Sequence, residues 1–331
     1  MKAIIPVAGK GTRMRPHTLS HPKVLLPVAG KPMIAYILEE LLQNNIRDVV
    51  FIVGYLGDRI KDYVVEAFPD LNCEFVEQKE MMGLGHAISL AAPFIHDDDE
   101  VFIILGDTLF DVNFTDMIHT PYSNLGVKYV QDPSRFGVAV TENEFITRLV
   151  EKPSEPISNL ALVGLYYIKE SRMLMTALQE MMQKGIKTRG EFQLTDALQI
   201  MLDKGVQMIP FNVDNWFDCG KPETLLDTTF VYLKKYFGKE SARAVGTNSL
   251  MIPPVHIGEN VTIVNSVIGP NVSINDGAIV ENSVIQNSIL FTGSSVKNAI
   301  LDHSILGENS VWLDFPKKIN IGDFSGVGDQ G

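Results

Sequence analysis

The chain has 331 residues, 45% of them hydrophobic and 21% charged, with a formal net charge of −12 at pH 7. That length is enough for one large domain and a smaller one, each with its own apolar core. The negative balance argues against a nucleic-acid binder, so any anionic substrate must meet a local group of basic side chains. No apolar run approaches the roughly 18 residues of a membrane span, and a strand pattern begins at once, with no signal peptide visible. Cys73 and Cys219 form neither a disulfide framework nor a metal-type spacing and are taken as packing residues. These features lead us to expect a cytoplasmic protein with no nucleic-acid or membrane partner.

Residues 3–7, Ala-Ile-Ile-Pro-Val, form an apolar run expected to be a buried strand. It stops at Ala8-Gly9-Lys10-Gly11-Thr12-Arg13, where two glycines let backbone approach a ligand and turn N–H groups toward an anion. Arg13 and Lys23 add fixed positive charge, which phosphate chemistry needs in place before charge develops. The turn is not a P-loop, because its lysine lies between the glycines. Nor is it a dinucleotide fingerprint, because Met14 stands where a third glycine belongs. Lys31-Pro32 opens a helix whose apolar face is Ile34, Ile37, Leu38, Leu41 and Leu42. A strand over 48–53, a helix over 58–68 and an apolar strand over 101–105 follow, the last ending in Gly106-Asp107. Such alternation predicts a doubly wound, mostly parallel α/β sheet of Rossmann-like type, with ligands at the carboxyl ends of its strands. Further strands are expected at 137–140 and 162–168, and helices at 173–182, 193–202 and 222–237.

The texture then changes. Helical periodicity is lost after residue 237, a polar linker covers 238–250, and a short theme recurs. Asn265-Ser-Val-Ile, Asn282-Ser-Val-Ile and Asn298-Ala-Ile-Leu start 17 and 16 residues apart, and Asn287-Ser-Ile-Leu and His303-Ser-Ile-Leu start 16 apart. Short aliphatic strands with Asn, Gly and Ser turns at this period indicate a parallel β-helix over 251–315, of about three coils, before a tail over 316–331. So short a prism must cover its ends and faces, which predicts a homo-oligomer.

The string Gly9-x-Gly11-Thr12-Arg13-Met14-x-Pro16, with Pro22-Lys23, Leu26-Pro27-Val28 and Lys31-Pro32-Met33, resembles the signature of the sugar-phosphate nucleotidylyltransferases. The resemblance covers residues 1–237, which it marks as the catalytic domain. The C-terminal repeat is similar to the left-handed β-helix that several members carry, and the chain is most like the thymidylyl members, although its N-terminal wording resembles uridylyl members about as well. The family resemblance implies nucleotide binding by Ala8, Gly9, Gly11, Thr12, Arg13, Gln78 and Gly83. Gln78, in Glu77-Gln78…Gly83-Leu84-Gly85-His86-Ala87, would pair with the O4 and N3–H edge of thymine or uracil. Gly137, Glu151, Lys152 and Gly164 would hold the sugar phosphate, and Asp107 with Asp218 would bind Mg2+. Arg13, Lys23 and Lys152 would act on the phosphates. Where many thymidylyl members have Asn after the metal aspartate, this chain has Thr108.

The implied reaction joins a sugar 1-phosphate to a nucleoside triphosphate and releases pyrophosphate, with dTTP and glucose 1-phosphate favoured and UTP next. Two other readings stay open. One is an acyl transfer in the β-helix with His256 or His303 as base, and the other is a catalytically silent regulatory relative. Gly190-Glu-Phe-Gln-Leu-Thr195-Asp196 is read as capping, with Thr195 or Asp196 starting a helix.

Overall fold

Ile4 and Ile5 are fully enclosed in β1 (Lys2–Pro6), the strand on which the first sheet is centred. Each such side chain contributes roughly 1.5–3 kcal/mol when buried. In this computed structural model residues 1–238, 246–315 and 318 are described, and the chain divides into two compact units, Met1–Thr228 and Thr229–Gly331.

Apart from the short Pro27–Val28 and Lys31–Pro32 pair, the strands of the first unit are β1, β2 (Asp48–Val53), β3 (Asn72–Glu77), β4 (Val101–Ile104), β5 (Thr108–Asp111), β6 (Ser123–Tyr129), β7 (Gly137–Glu142), β8 (Phe145–Glu151), β9 (Leu160–Ile168), β10 (Met208–Asn212) and β11 (Asn215–Asp218). Nine of them form one mixed sheet in the order β8-β7-β9-β4-β1-β2-β3, with β6 beside β9 and β10 beside β6. The β4-β1-β2-β3 block is parallel, while β9 runs antiparallel to β4, β6 and β7. The helices are α1 (Met33–Gln43), α2 (Gly57–Ala67), α3 (Leu84–Ser89), α4 (Phe114–Ile118), α5 (Ser171–Gln183), α6 (Leu194–Asp203) and α7 (Pro222–Phe237).

Helix α1 illustrates the local logic. Pro32 caps it, Ile34, Ile37, Leu38 and Leu41 are buried, and Asn45 ends it in the left-handed region at φ 57°. Lys31-Pro32 itself pairs with Pro27-Val28, so the helix starts one residue later than the proline suggests. On one face of the sheet, α3, α5 and α6 close a core in which Ile4, Ile52 and Ile103 meet Ile88, Leu178 and Leu198.

Among its described residues the second unit carries three parallel four-stranded sheets that fit a left-handed β-helix. Inward-facing Ile263, Ile268, Val280, Ile285 and Val296 fill the prism. Asn265, Asn282 and Asn298 turn its corners at φ between 48° and 56°, a conformation Asn tolerates better than other side chains. Their amides stack, each Nδ2 donating to the next Oδ1 at 3.1–3.2 Å, and Asn248 extends the ladder at 2.9 Å. Each sheet thus holds four strands where about three coils were expected. The extra coil begins at Asn248-Ser249-Leu250-Met251, where Leu-Met replaces Val-Ile and hides the repeat. The last part of α7 lies against this prism, Phe237 facing His256 at 5.1 Å and Phe230 facing His303 at 6.2 Å. Of the expected linker and tail, residues 239–245, 316, 317 and 319–331 lie outside the described set.

Candidate active site

The loop after β1 is tied down from below. Met14 is fully buried, its N–H donates to the Gly11 carbonyl at 2.9 Å, and Thr18 Oγ1 donates to the same oxygen at 2.7 Å. That leaves Gly9 and Gly11 at the rim of a cavity of about 380 Å³ at the carboxyl ends of β1 and β4, the place expected for a ligand in such a sheet. Ala8, Thr12, Arg13 and Lys23 line one side, Gln78 and Gly83 another, and Asp107 lies among them. Every nucleotide-side residue singled out in the sequence reaches this cavity.

The charges are placed in pairs. Lys23 Nζ stands 2.5 Å from Asp107 Oδ2, and Lys23 is 9% exposed. Burial alone would raise the Asp107 carboxyl, but the charge and hydrogen bond of Lys23, with help from Arg13, hold it below the usual range. Asp218 reaches the same corner because β11 pairs antiparallel with β5, setting it opposite Thr108, and the Cys219 N–H donates to the Asp107 carbonyl at 3.3 Å. A β-carbon placed on Gly220 would fall 2.8 Å from Asp218 Oδ1 and 3.2 Å from Arg13 Nη2. Arg13 and Asp218 therefore flank one small space. No group of three or more potential metal-ligating side chains occurs among the described residues. Two carboxylates that leave other positions to water and phosphate oxygens fit Mg2+, which keeps much of its hydration shell.

The base-side wall is built on Gly83, whose φ of +113° is open to glycine alone and whose α-carbon leaves no room for a side chain. A β-carbon there would come within 2.4 Å of the Phe192 carbonyl oxygen. The Phe192 carbonyl also accepts the Gly85 N–H and the Phe192 N–H donates to the Met82 carbonyl, each at 2.8 Å, which staples the loop before α3 and the first turn of α3 to the segment before α6.

A second cluster forms at the end of β8, outside the lining of that cavity. Glu151 Oε2 accepts from Thr195 Oγ1 at 2.7 Å, and Glu151 Oε1 lies 3.1 Å from Lys152 Nζ. Gly137 fits against both, since a β-carbon there would be 2.8 Å from Thr195 Oγ1 and 3.0 Å from Glu151 Oε2. Lys152 has φ 43°, with its carbonyl held by Arg189 at 3.0 Å. Gly164 packs against Leu105, a wall residue of the cavity.

Three residues were not anticipated. Glu191 lines the cavity, His86 bonds Gln78, and Thr195 orients Glu151. The capping role expected of Thr195 or Asp196 is overturned. Gln193 is the N-cap of α6 and makes no side-chain cap bond, and the buried Thr195 hydroxyl donates to Glu151 instead of capping the helix. The Gly190–Asp196 motif was a usable signal for this, but its partner lies 44 residues away in the chain. The cysteines behave as packing residues, Cys219 pushed up to about 12 and Cys73 to about 11 by burial.

Comparison with known proteins agrees with this geometry. A family model described as nucleotidyl transferase matches residues 2–235. A low-salt glycan biosynthesis nucleotidyltransferase of Haloferax volcanii is 33% identical over 71% of this chain and 66% of its own. A glucose-1-phosphate thymidylyltransferase of Streptomyces antibioticus is 31% identical over 82% of this chain and 77% of its own. A solved UDP-glucose pyrophosphorylase complexed with UDP-glucose superposes with a TM-score of 0.61 at 27% identity, covering 71% of this chain and 98% of that one. The chain spans just under two thirds of the length of the Haloferax relative. With the family model matched across almost the whole first unit, the chain belongs to the nucleotidyl transferase family.

Proposed function

We propose that the protein transfers a nucleotidyl group from dTTP or UTP to a sugar 1-phosphate, glucose 1-phosphate first among them, and releases pyrophosphate. The observation that carries this is the convergence of Arg13, Lys23 and Asp107 on a glycine-rimmed cavity that also contains Gln78. A sugar phosphate oxygen attacks the α-phosphorus, a P–O bond forms, and the bond to the β-phosphate breaks with its electron pair leaving on pyrophosphate. The attacking phosphate is already ionised near neutral pH, so no general base is required. The groups supplied by the chain serve to position and to stabilise charge.

Arg13 holds the α-phosphoryl and leaving oxygens, Lys23 bridges the phosphates, and Lys152 holds the incoming phosphate beside Glu151, which accepts from sugar hydroxyls. Asp107 and Asp218 would hold Mg2+, which when bound offsets charge on the triphosphate. The relatives include both thymidylyl- and UDP-sugar-forming proteins, so the choice between dTTP and UTP is a matter for assay. A matrix of nucleoside triphosphates against glucose, N-acetylglucosamine, mannose and galactose 1-phosphates, followed by pyrophosphate release, tests the proposal. Release with dTTP or UTP supports it, and GTP as the best substrate contradicts the role of Gln78.

The β-helix supports assembly with a second copy of this chain. Leu250, Val267, Val284 and Ile300 stack in register on the outer face of one sheet, and Ile300 is 84% exposed. An aliphatic ladder left to water favours association.

A further inference from the structure

Asp196 carries a carboxyl group that the transfer reaction does not use. It stands in the first turn of α6, next to Thr195, and its Oδ2 is closed to solvent with no hydrogen-bond partner. The Thr188 side chain hydrogen-bonds the same carboxyl. Burial, with the charge of Glu151 adding to it, holds Asp196 above the ordinary aspartate range against the effect of that bond. A desolvated, unpaired carboxylate oxygen costs stability, and a small apolar side chain would avoid that cost. Stability therefore does not account for this residue.

What the carboxyl holds is a turn. The Thr188 N–H donates to the Glu191 carbonyl at 3.0 Å, and the Glu191 N–H donates back to Thr188 at 3.2 Å. Between them Arg189 and Gly190 have φ of 53° and 86°. Two positive φ values in a row suit Asn and Gly, so an arginine in the first position is strained. Lys152 is in the same condition, at φ 43°. Its N–H donates to the Phe136 carbonyl at 3.0 Å, and its carbonyl accepts from Arg189 Nη2 at 3.0 Å. Such conformations persist only where neighbours fix them from several sides.

We infer that Asp196 is a positioning residue for the sugar-phosphate subsite: through Thr188 it sets the turn that carries Arg189, and Arg189 sets the backbone of Lys152. The inference rests on the reading of Lys152 as the group that holds the incoming phosphate. Without Asp196 the turn loses its tie to α6, Arg189 leaves the Lys152 carbonyl, and Lys152 relaxes out of the left-handed region. Its ammonium, 3.1 Å from Glu151 Oε1, then loses its fixed place. The triphosphate side depends on this chain less, because the glycine loop after β1 is held by Met14 and Thr18.

The test measures KM and kcat for glucose 1-phosphate and for UTP or dTTP in the full chain and in Asp196→Ala, Asp196→Asn and Thr188→Val. Asp196→Ala should raise KM for glucose 1-phosphate about fivefold to tenfold, with KM for the triphosphate within about twofold. Its melting temperature should hold or rise, since the unpaired oxygen is gone. A residue that merely supported the fold would lose stability and move both KM values together. Asp196→Asn, which can still accept from Thr188, should bring KM back to within about twofold of the unaltered protein. Thr188→Val should match Asp196→Ala, and the double variant should be no worse than either alone, as for residues that act through one contact. Effects that multiply in the double variant, or equal changes in both KM values, overturn the inference. So does an Asp196→Asn that binds as poorly as Asp196→Ala. Should Asp196→Ala not fold, Thr188→Val decides: a raised KM for glucose 1-phosphate alone supports the inference, and an unchanged one overturns it. Lys152→Met is the control on the subsite itself. If that variant leaves KM for glucose 1-phosphate unaltered, it is the phosphate-holding role that has failed, and this inference falls with it.

Discussion

The ammonium of Lys23 and the carboxylate of Asp107 stand 2.5 Å apart, although 84 residues separate them in the chain. Lys23 comes from the turn that begins after Pro22, and Asp107 from the end of β4. The contact therefore ties the N-terminal loop to the centre of the sheet. It also sets a cation and an anion side by side where a triphosphate would enter, so neither charge must be gathered from solvent when substrate binds.

Removing Asp107 leaves the buried Lys23 ammonium without its partner, and removing Lys23 takes the nearest cation from the half-exposed Asp107 carboxylate. Lys23→Met and Asp107→Asn should each lower kcat by about a hundredfold or more, as expected when fixed charge is removed from phosphoryl transfer. Circular dichroism should show both variants folded. Near-normal kcat in either one would contradict the assigned roles.

Thr195 offers a finer test of the second cluster. Thr195→Val deletes the donor to Glu151 at nearly constant shape, a loss of about 1 kcal/mol. KM for the sugar 1-phosphate should rise about threefold to tenfold, KM for the triphosphate should stay the same, and Thr195→Ser should restore both. Equal effects on both KM values would place the hydroxyl outside the sugar-phosphate subsite.

How far the chain discloses its own fold depends on the range of the interactions. Strand β2 at Asp48–Val53 and helix α7 at Pro222–Phe237 were legible to the residue, because apolar pattern and proline punctuation are local signals. That Gly9, Gly11, Thr12, Arg13, Gln78 and Gly83 would gather round one cavity was legible because they fall on two short motifs. Thr195 was not, since its partner is fixed by the packing of α6 beside β8. Nor was the contact made by His86, because helical spacing does not reveal that its Nδ1 faces an amide. The first coil of the β-helix stayed hidden because Leu250-Met251 breaks the Val-Ile wording while keeping the inward and outward alternation.

The thiols should be quiet. With Cys73 pushed up to about 11 and Cys219 to about 12, almost no thiolate exists at pH 8. A thiol-specific reagent should modify half-buried Cys73 slowly and Cys219 only after unfolding, as read by mass spectrometry. Rapid double labelling of the folded protein would show that the environment of Cys219 is more open than described.

The exposed ladder on the β-helix predicts a concentration-dependent homo-oligomer. Ile300→Glu, made on an outward position, should shift sedimentation toward smaller species while leaving pyrophosphate release at saturating substrate within about twofold. A full-length chain that sediments as a monomer at tens of micromolar would refute the assembly reading.

The most direct measurement follows the phosphorus atoms. With glucose 1-phosphate and UTP or dTTP labelled separately at the α- and γ-positions, the account predicts α-label in the nucleotide sugar and γ-label in pyrophosphate, in equal amounts. Label from the γ-position appearing as free phosphate or on the sugar, with no α-label in a nucleotide sugar, would contradict nucleotidyl transfer at this site.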